Sequence, residues 1–189
     1  MQTRDALRAA FVALAVALVV GCNRRPESAA PTDSVQQTAS QPAASRRWHQ
    51  VLEAENGVPV TAPMAVTDQA DASGGKCVII PLGQPKDIAP TGRITLSATA
   101  PREAEVTLWY RVYWAGTCSN SFTAKIAGQP DLIIGEDGTY QTWHWVQTPT
   151  LTVPAGPLQV VIEQREEDVR IDQVLITTDA AFVPMGIEE

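Results

Sequence analysis

An all-β, antiparallel sandwich is the fold class this 189-residue sequence predicts, and three observations predict it. Apolar and polar residues alternate with period two in several short runs. Clusters of Gly, Pro, Asp and Ser separate those runs. Beyond Trp48 no segment carries the long apolar stripe of a helix. Many short strands at such spacing argue two packed sheets, not a parallel sheet wrapped in helices.

The first residues belong to none of this. Arg4 and Arg8 form a weakly basic start, diluted by Asp5, and Ala9 to Val20 is an apolar run. It is too short to span a bilayer comfortably. It ends Val20-Gly21-Cys22, a small residue directly before Cys, which resembles a bacterial lipobox. That resemblance implies a lipoprotein signal peptide over 1–21, cleaved before Cys22, with diacylglycerol on the Cys22 sulfur. Several acyl chains would hold the mature protein firmly on a membrane. Residues 22–45 are rich in Pro, Ala, Ser, Thr and Gln and lack aromatics. Such a segment buries too little apolar surface to offset its ordering entropy and reads as a stalk.

The remaining domain, 46–189, is long enough to bury a core. Ile94, Leu96 and Ala98 alternate with Thr95 and Ser97. Val106, Leu108, Tyr110, Val112 and Trp114 alternate with Thr107, Trp109, Arg111 and Tyr113. Both faces of that second run are bulky, which places it mid-sheet. Leu158, Val160 and Ile162 form a third run, and Val169 to Thr177 a fourth. Turns are expected at Ser73-Gly74-Gly75, Pro90-Thr91-Gly92, Gly135-Glu136-Asp137-Gly138 and Pro154-Ala155-Gly156-Pro157.

Charge narrows the partners. The net charge is −7 and the lysines are Lys76, Lys86 and Lys125. Nucleic acid is argued against, because phosphate neutralisation needs a basic surface. No polybasic membrane patch exists either. In an exported chain the pair Cys77 and Cys118 reads as a disulfide. It would close a loop of about forty residues, worth about 4 kcal/mol in the chain-entropy picture.

Carboxylates give the sharpest chemical signal. In an extended strand Glu53 and Glu55 project to one face. If the first and last strands are neighbours, Asp172 joins them, and three hard oxygen ligands make a calcium site. The alternative is two glutamates facing water. Enzyme motifs are scarce: there is no nucleophile elbow, phosphate loop or dinucleotide fingerprint. His49 and His144 alone make no zinc site. Glu166, Glu167 and Asp168 sit on one short turn and cannot flank a glycosidic bond, so a solvated hairpin is expected.

Aromatics point to a ligand. Trp143-His144-Trp145 puts both indoles on one strand face and His144 on the other. Trp114 precedes the small polar loop Ala115-Gly116-Thr117-Cys118-Ser119-Asn120. A sugar offers a C–H face to an indole and hydroxyls to polar side chains. Trp109 and Trp145 are expected in the core, and Trp114 and Trp143 on a ligand, with core packing the alternative for each.

Several motifs then fall into one order: Leu52-Glu53-Ala54-Glu55, Ala72-Ser73-Gly74-Gly75-Lys76, Trp109-Tyr110-Arg111-Val112, Asn120-Ser121-Phe122 with Ile126-Ala127-Gly128, Trp143-His144-Trp145 and Arg165-Glu166-Glu167-Asp168-Val169-Arg170-Ile171-Asp172. The set resembles the non-catalytic carbohydrate-binding modules of families 6 and 35, over nearly all of Trp48 to Gly186. The resemblance implies a galactose-binding-like jelly-roll sandwich that binds polysaccharide or glycoconjugate and performs no reaction. It implies structural calcium at Glu53, Glu55 and Asp172, and a sugar rim at the Trp114–Asn120 loop. Carbohydrate-binding candidates are thus Trp114, Asn120, Trp143 and His144, with Asn120 either a contact or a loop clamp. Lys76 and Ala127 depart from the pattern, where an aromatic and an Asp are common. The expected setting is the bacterial cell envelope, on a lipid anchor. A rival reading is a scaffold for envelope proteins that has lost sugar binding.

Overall fold

The computed structural model describes residues 47–83 and 91–189. The expected signal peptide, Cys22 and the stalk lie outside the described residues.

Eleven strands are described: β1 (His49–Glu53), β2 (Ala65–Asp68), β3 (Lys76–Ile80), β4 (Arg93–Ala100), β5 (Ala104–Trp114), β6 (Ser121–Ile126), β7 (Leu132–Gly135), β8 (Trp143–Gln147), β9 (Leu151–Val153), β10 (Gly156–Glu163) and β11 (Val169–Thr177). They form two antiparallel sheets. The larger runs β2-β3-β11-β5-β8, with β1 added to β11 and β9 to β5. The smaller runs β4-β10-β6-β7. The chain passes repeatedly from one sheet to the other, as a jelly-roll sandwich requires. Among the described residues no helix is long and apolar enough to cross a membrane.

Alternation decides which side chains meet between the sheets. Val106, Leu108, Tyr110, Val112 and Trp114 of β5 all point inward, each at 1% exposure or less. From the other sheet Ile94, Leu96, Phe122, Ala124, Ile134, Val160 and Ile162 meet them in one cluster. Tyr110 and Phe122 pack edge to face at 5.2 Å. Fully burying a side chain of this size contributes roughly 1.5–3 kcal/mol.

β11 is the strand on which everything else is registered. Its residues pair with β5 from Val169↔Trp114 to Thr177↔Thr107, and with β1 from Glu53↔Gln173 to His49↔Thr177. The first and last strands are therefore neighbours, as the calcium reading requires. A bulge between Ile171 and Gln173 breaks the register once. Ile171 and Val174 still point inward, while Asp172 and Gln173 occupy the extra step.

One expectation fails at this level. Cys77 and Cys118 are free thiols, the first buried and the second exposed. The register explains why. Ile80 and Trp114 flank Val169 on opposite sides, so β3 and β5 lie two strands apart, roughly 10 Å. Cys77 sits three residues back from Ile80, and Cys118 beyond Trp114 in the opposite direction. A disulfide needs Cα atoms within about 7 Å.

Candidate functional site

Two constellations share the outer face of the larger sheet: a carboxylate cluster at β1 and β11, and an aromatic face on β5 and β8.

The carboxylates meet by a route other than simple alternation. β1 stops at Glu53, and Ala54–Asn56 is one 3-10 turn closed by the Gly57 amide on the Ala54 carbonyl at 3.0 Å. Glu55 thus reaches the cluster from a turn, not from a strand face. A second turn, Ser73–Gly75, supplies Ser73, and its middle residue Gly74 has φ 58°. That left-handed backbone favours glycine. A Cβ there would also stand 3.4 Å from Glu55 Oε1.

Ser73 Oγ donates to Glu53 Oε1 at 3.0 Å, and the Ser73 amide donates to Asp172 Oδ1 at 2.9 Å. Gln173 Nε2 donates to the same Glu53 oxygen at 2.8 Å. Arg111 Nη1 pairs with Asp172 Oδ2. Both Asp172 oxygens are thereby engaged, in a residue with no exposure at all. Glu53 Oε2 and Glu55 Oε2 are buried without a hydrogen-bond partner.

Burial pushes the Glu55 carboxyl up, and the charges of Glu53 and Asp172 push it further. Burial also raises Asp172, against the pull of Arg111 and the Ser73 amide. Three carboxylates and one paired guanidinium leave a local imbalance that a divalent cation would neutralise. Hard, buried oxygen donors suit calcium. Among the described residues no set of three or more His, Cys, Asp and Glu groups already stands at ligand spacing. Asp172 is held by Arg111 and Ser73, so the free donor atoms belong to Glu53 and Glu55.

The aromatic face is built by register. Tyr113 pairs with Trp143 and Arg111 with Trp145 across β5 and β8. The Tyr113 and Trp143 rings meet at 5.7 Å and 62°. Arg170 lies over Tyr113 at 4.7 Å and Arg111 over Trp143 at 4.9 Å, both cation–π contacts. Tyr113, Trp143 and Trp145 are half-buried. Trp143 Nε1 makes no hydrogen bond. The Gln69 side chain, against burial, holds the nearby Asp71 carboxyl low. The C-terminal segment lies on the same face, where Trp145 Nε1 donates to the Gly186 carbonyl at 2.9 Å. Gln173 exchanges two hydrogen bonds with the Glu188 backbone, at 2.8 and 3.1 Å.

The expected rim behaves differently. Trp114 is wholly buried in the core and donates from Nε1 to Asp137 Oδ2 at 3.3 Å. It shares the inward parity of Val106 to Val112, so it cannot face a ligand. His144 also points inward, with Nε2 on Asp137 Oδ2 at 2.8 Å and Nδ1 on the Thr142 carbonyl at 3.1 Å. Burial alone would raise Asp137. The Thr139 amide, His144 and the Trp114 indole outweigh it and hold that carboxyl low.

Asn120 is 6% exposed, and its backbone is held on both sides: its main-chain amide donates to Glu166 Oε2 at 2.8 Å and its carbonyl accepts from the Glu136 amide at 3.0 Å. The expected solvated hairpin is a clasp as well. Arg165 reaches Ser121 Oγ and Glu136, and Glu167 takes the Gly83 amide at 2.8 Å. Of the four carbohydrate-binding candidates only Trp143 lies on an open face. Trp145, expected in the core, is half-buried beside it. The sequence did not single out Arg111, Tyr113, Ser73 or Gln173. Arg111 carried a readable signal, because a charge in mid-strand needs a buried partner.

No protein-family model and no curated protein matches the sequence. Solved structures do match the fold. The C-terminal family 6 carbohydrate-binding module of LamC, a marine laminarinase from Zobellia galactanivorans, matches at TM-score 0.51 and 20% identity, over 68% of this chain and 98% of that one. A family 35 carbohydrate-binding module from Clostridium thermocellum matches at 0.52 and 13%, over 67% and 97%. An exo-β-1,3-galactanase from Phanerochaete chrysosporium matches at 0.52 and 16%, over 68% of this chain and 29% of that enzyme. This chain thus spans about three-tenths of the enzyme and nearly the whole of each isolated module. It has the sandwich fold of carbohydrate-binding modules of the family 6 and 35 type.

Proposed function

We propose that this protein is a non-catalytic carbohydrate-binding module, lipid-anchored through Cys22 at the bacterial cell envelope. The reading rests on one observation above all: a half-exposed pair of rings, Tyr113 and Trp143, flanked by Arg170 on the outer face of this sandwich. An indole face suits the C–H side of a sugar ring, and Arg170 with Asp71 can answer its hydroxyls. Calcium at Glu53 and Glu55, beside Asp172, would neutralise the buried charge and brace the β1–β11 edge. The lipid anchor is supported by the apolar run Ala9 to Val20 before Gly21-Cys22. The partner is a polysaccharide or glycoconjugate, and no reaction is assigned to the chain.

Glycan-array binding of the chain, with calcium and with chelator, tests the reading. Retention on at least one glycan, lost in Trp143→Ala with the fold intact, supports it. The scaffold reading gains from the withdrawal of Trp114 and Asn120 into protein contacts. Silence on every glycan under both conditions would favour the scaffold.

A further inference from the structure

We propose that the segment from Phe182 to Glu188 is a strap that sets how long a saccharide this protein accepts: seated, it closes the outer face beyond Tyr113 and Trp143, and lifted, it extends that face over Trp145 and Trp109. The inference rests on the saccharide reading and deepens it with a determinant of chain length.

The register lays the outer face out in rows across the larger sheet. Arg170, Tyr113 and Trp143 form the first row, and Glu53, Gln173, Arg111 and Trp145 the second. Val51, Leu175, Trp109 and Gln147 form the third, and His49, Thr177 and Thr107 the fourth. Leu175 and Trp109 point away from the space between the sheets, yet they are 0% and 9% exposed. The anchors of the strap show what covers them. The Phe182 ring meets His49 in the fourth row at 4.7 Å. The Gly186 carbonyl takes the Trp145 indole N–H in the second row at 2.9 Å, and the Glu188 backbone bonds Gln173 beside it. His49 and Trp145 stand three strand spacings and two rows apart, about 19 Å on a flat sheet. Four residues, from Phe182 to Gly186, reach about 14 Å when extended, and the two aromatic side chains span the rest. The strap therefore runs straight between its anchors, and the middle of that diagonal falls between Leu175 and Trp109. Pro184 is the residue at its midpoint, and it is buried.

Little holds the strap down. Among the described residues no strand pairs with it. Val183, Met185 and Ile187 alternate with the seated residues and face water. A segment with so few buried apolar contacts opens without disturbing the core. From Tyr113 to Trp109 the opened face lengthens by roughly 13 Å, and the indoles of Trp145 and Trp109 suit the C–H side of further sugar rings. Trp109 Nε1, buried without a hydrogen-bond partner under the seated strap, gains a hydroxyl to donate to. A long saccharide needs the open state and a short one does not, so only the long one is weakened by the time the strap spends down.

Gly186 has φ 75°, and a Cβ there would meet nothing within 4 Å. Gly186→Ala thus strains the strap's own backbone without touching the binding face. In the full chain, deuterium exchange at the Glu188 amide, which Gln173 Oε1 holds, should rise at least about fivefold. Pro184→Ser, which alters the buried midpoint, is the second variant and should act in the same direction. Calorimetry then compares the dimer and hexamer of β-1,3-glucan, β-1,3-galactan, β-1,4-mannan and β-1,4-xylan, neutral glycans that suit a net charge of −7. Both variants should bind a hexamer several-fold tighter than wild type, by at most the factor seen in exchange, and its dimer equally well. Met185→Ser, on the water side of the strap, should match wild type with both. Equal gains for dimer and hexamer overturn the strap. So does faster exchange with unchanged hexamer affinity, or unchanged exchange in both variants. Each of these leaves the saccharide reading standing. Binding to none of these glycans by any of the chains removes that reading and this inference with it.

Discussion

Asp172 and Arg111 form an ion pair sealed beneath the outer face of the larger sheet, with side chains 0% and 8% exposed. It exists because the bulge in β11 sets Asp172 out of register and against the middle of β5. Removing one partner leaves the other charged and buried. Arg111→Ala is therefore expected to destabilise the domain by about 3–5 kcal/mol in chelator. Urea unfolding followed by circular dichroism measures it, and a loss below about 1 kcal/mol would contradict the pairing.

Glu55 should make the protein less stable as pH rises. Burial, then the charges of Glu53 and Asp172, raise its carboxyl above the ordinary 4.5. The folded state thus keeps this proton to higher pH than the unfolded chain does. Its favourable contribution is complete below about 4.5 and is lost as pH climbs through the folded value. Asp137, held low, acts below its ordinary 3.8 and stays outside this window. In chelator, Glu55→Gln should melt higher than wild type at neutral pH, with the gap closing toward pH 4.5. The same variant should lose its response to calcium. A gap that is constant with pH contradicts the assignment.

Trp114 and Trp143 should separate cleanly. Trp114→Ala empties the largest fully buried side chain of the core and is expected to cost about 3–5 kcal/mol. Trp143→Ala sits on the half-open face and should lower melting much less than Trp114→Ala while abolishing glycan retention. Paired calorimetry and affinity electrophoresis read both, and the reverse pattern would return Trp114 to the ligand.

The thiols should differ in reactivity. Burial pushes the Cys77 thiol up to about 12, so it carries almost no thiolate at neutral pH. Labelling of the native protein by a disulfide reagent should be unaffected by Cys77→Ser and reduced by Cys118→Ser. Reductant should leave the melting temperature unchanged, and a drop would restore the bridge.

Gly135 should tolerate no side chain. Its φ is 123°, and a Cβ would fall 1.9 Å from the Asn120 carbonyl oxygen. Gly135→Ala must push β7 off β6, at more than about 1 kcal/mol. Faster amide exchange confined to Phe122, Thr123 and Ala124 would report that local separation.

Much of this architecture could be read from period-two alternation. The runs at Ile94, Val106, Leu158 and Val169 became β4, β5, β10 and β11 with small shifts at their ends. Alternation names two faces but does not say which is inside, and there the reading of Trp114 failed. The answer was present, because Trp114 has the parity of Leu108, Tyr110 and Val112. Glu53 and Glu55 did converge with Asp172, through a 3-10 turn that a strand rule could not foresee. The backbone contacts at Asn120 and the clasp at Arg165 depend on loops brought together only by tertiary packing. The cysteines mislead because export favours pairing in general and says nothing about register.

The kink in β11 amounts to one surplus residue. Removing Asp172 from the chain would let Ile171 and Gln173 follow each other in ordinary succession, without disturbing the inward series Val169, Ile171, Val174 and Ile176. Three nucleotides of coding sequence thus separate this surface from a plain strand with no acid at its centre. A shortened chain of that kind would keep its greasy interior in phase and lose Arg111's counter-ion. The acidic nest is, in this sense, an addition to the strand pattern, and Arg111 is the residue that ties the scaffold to it.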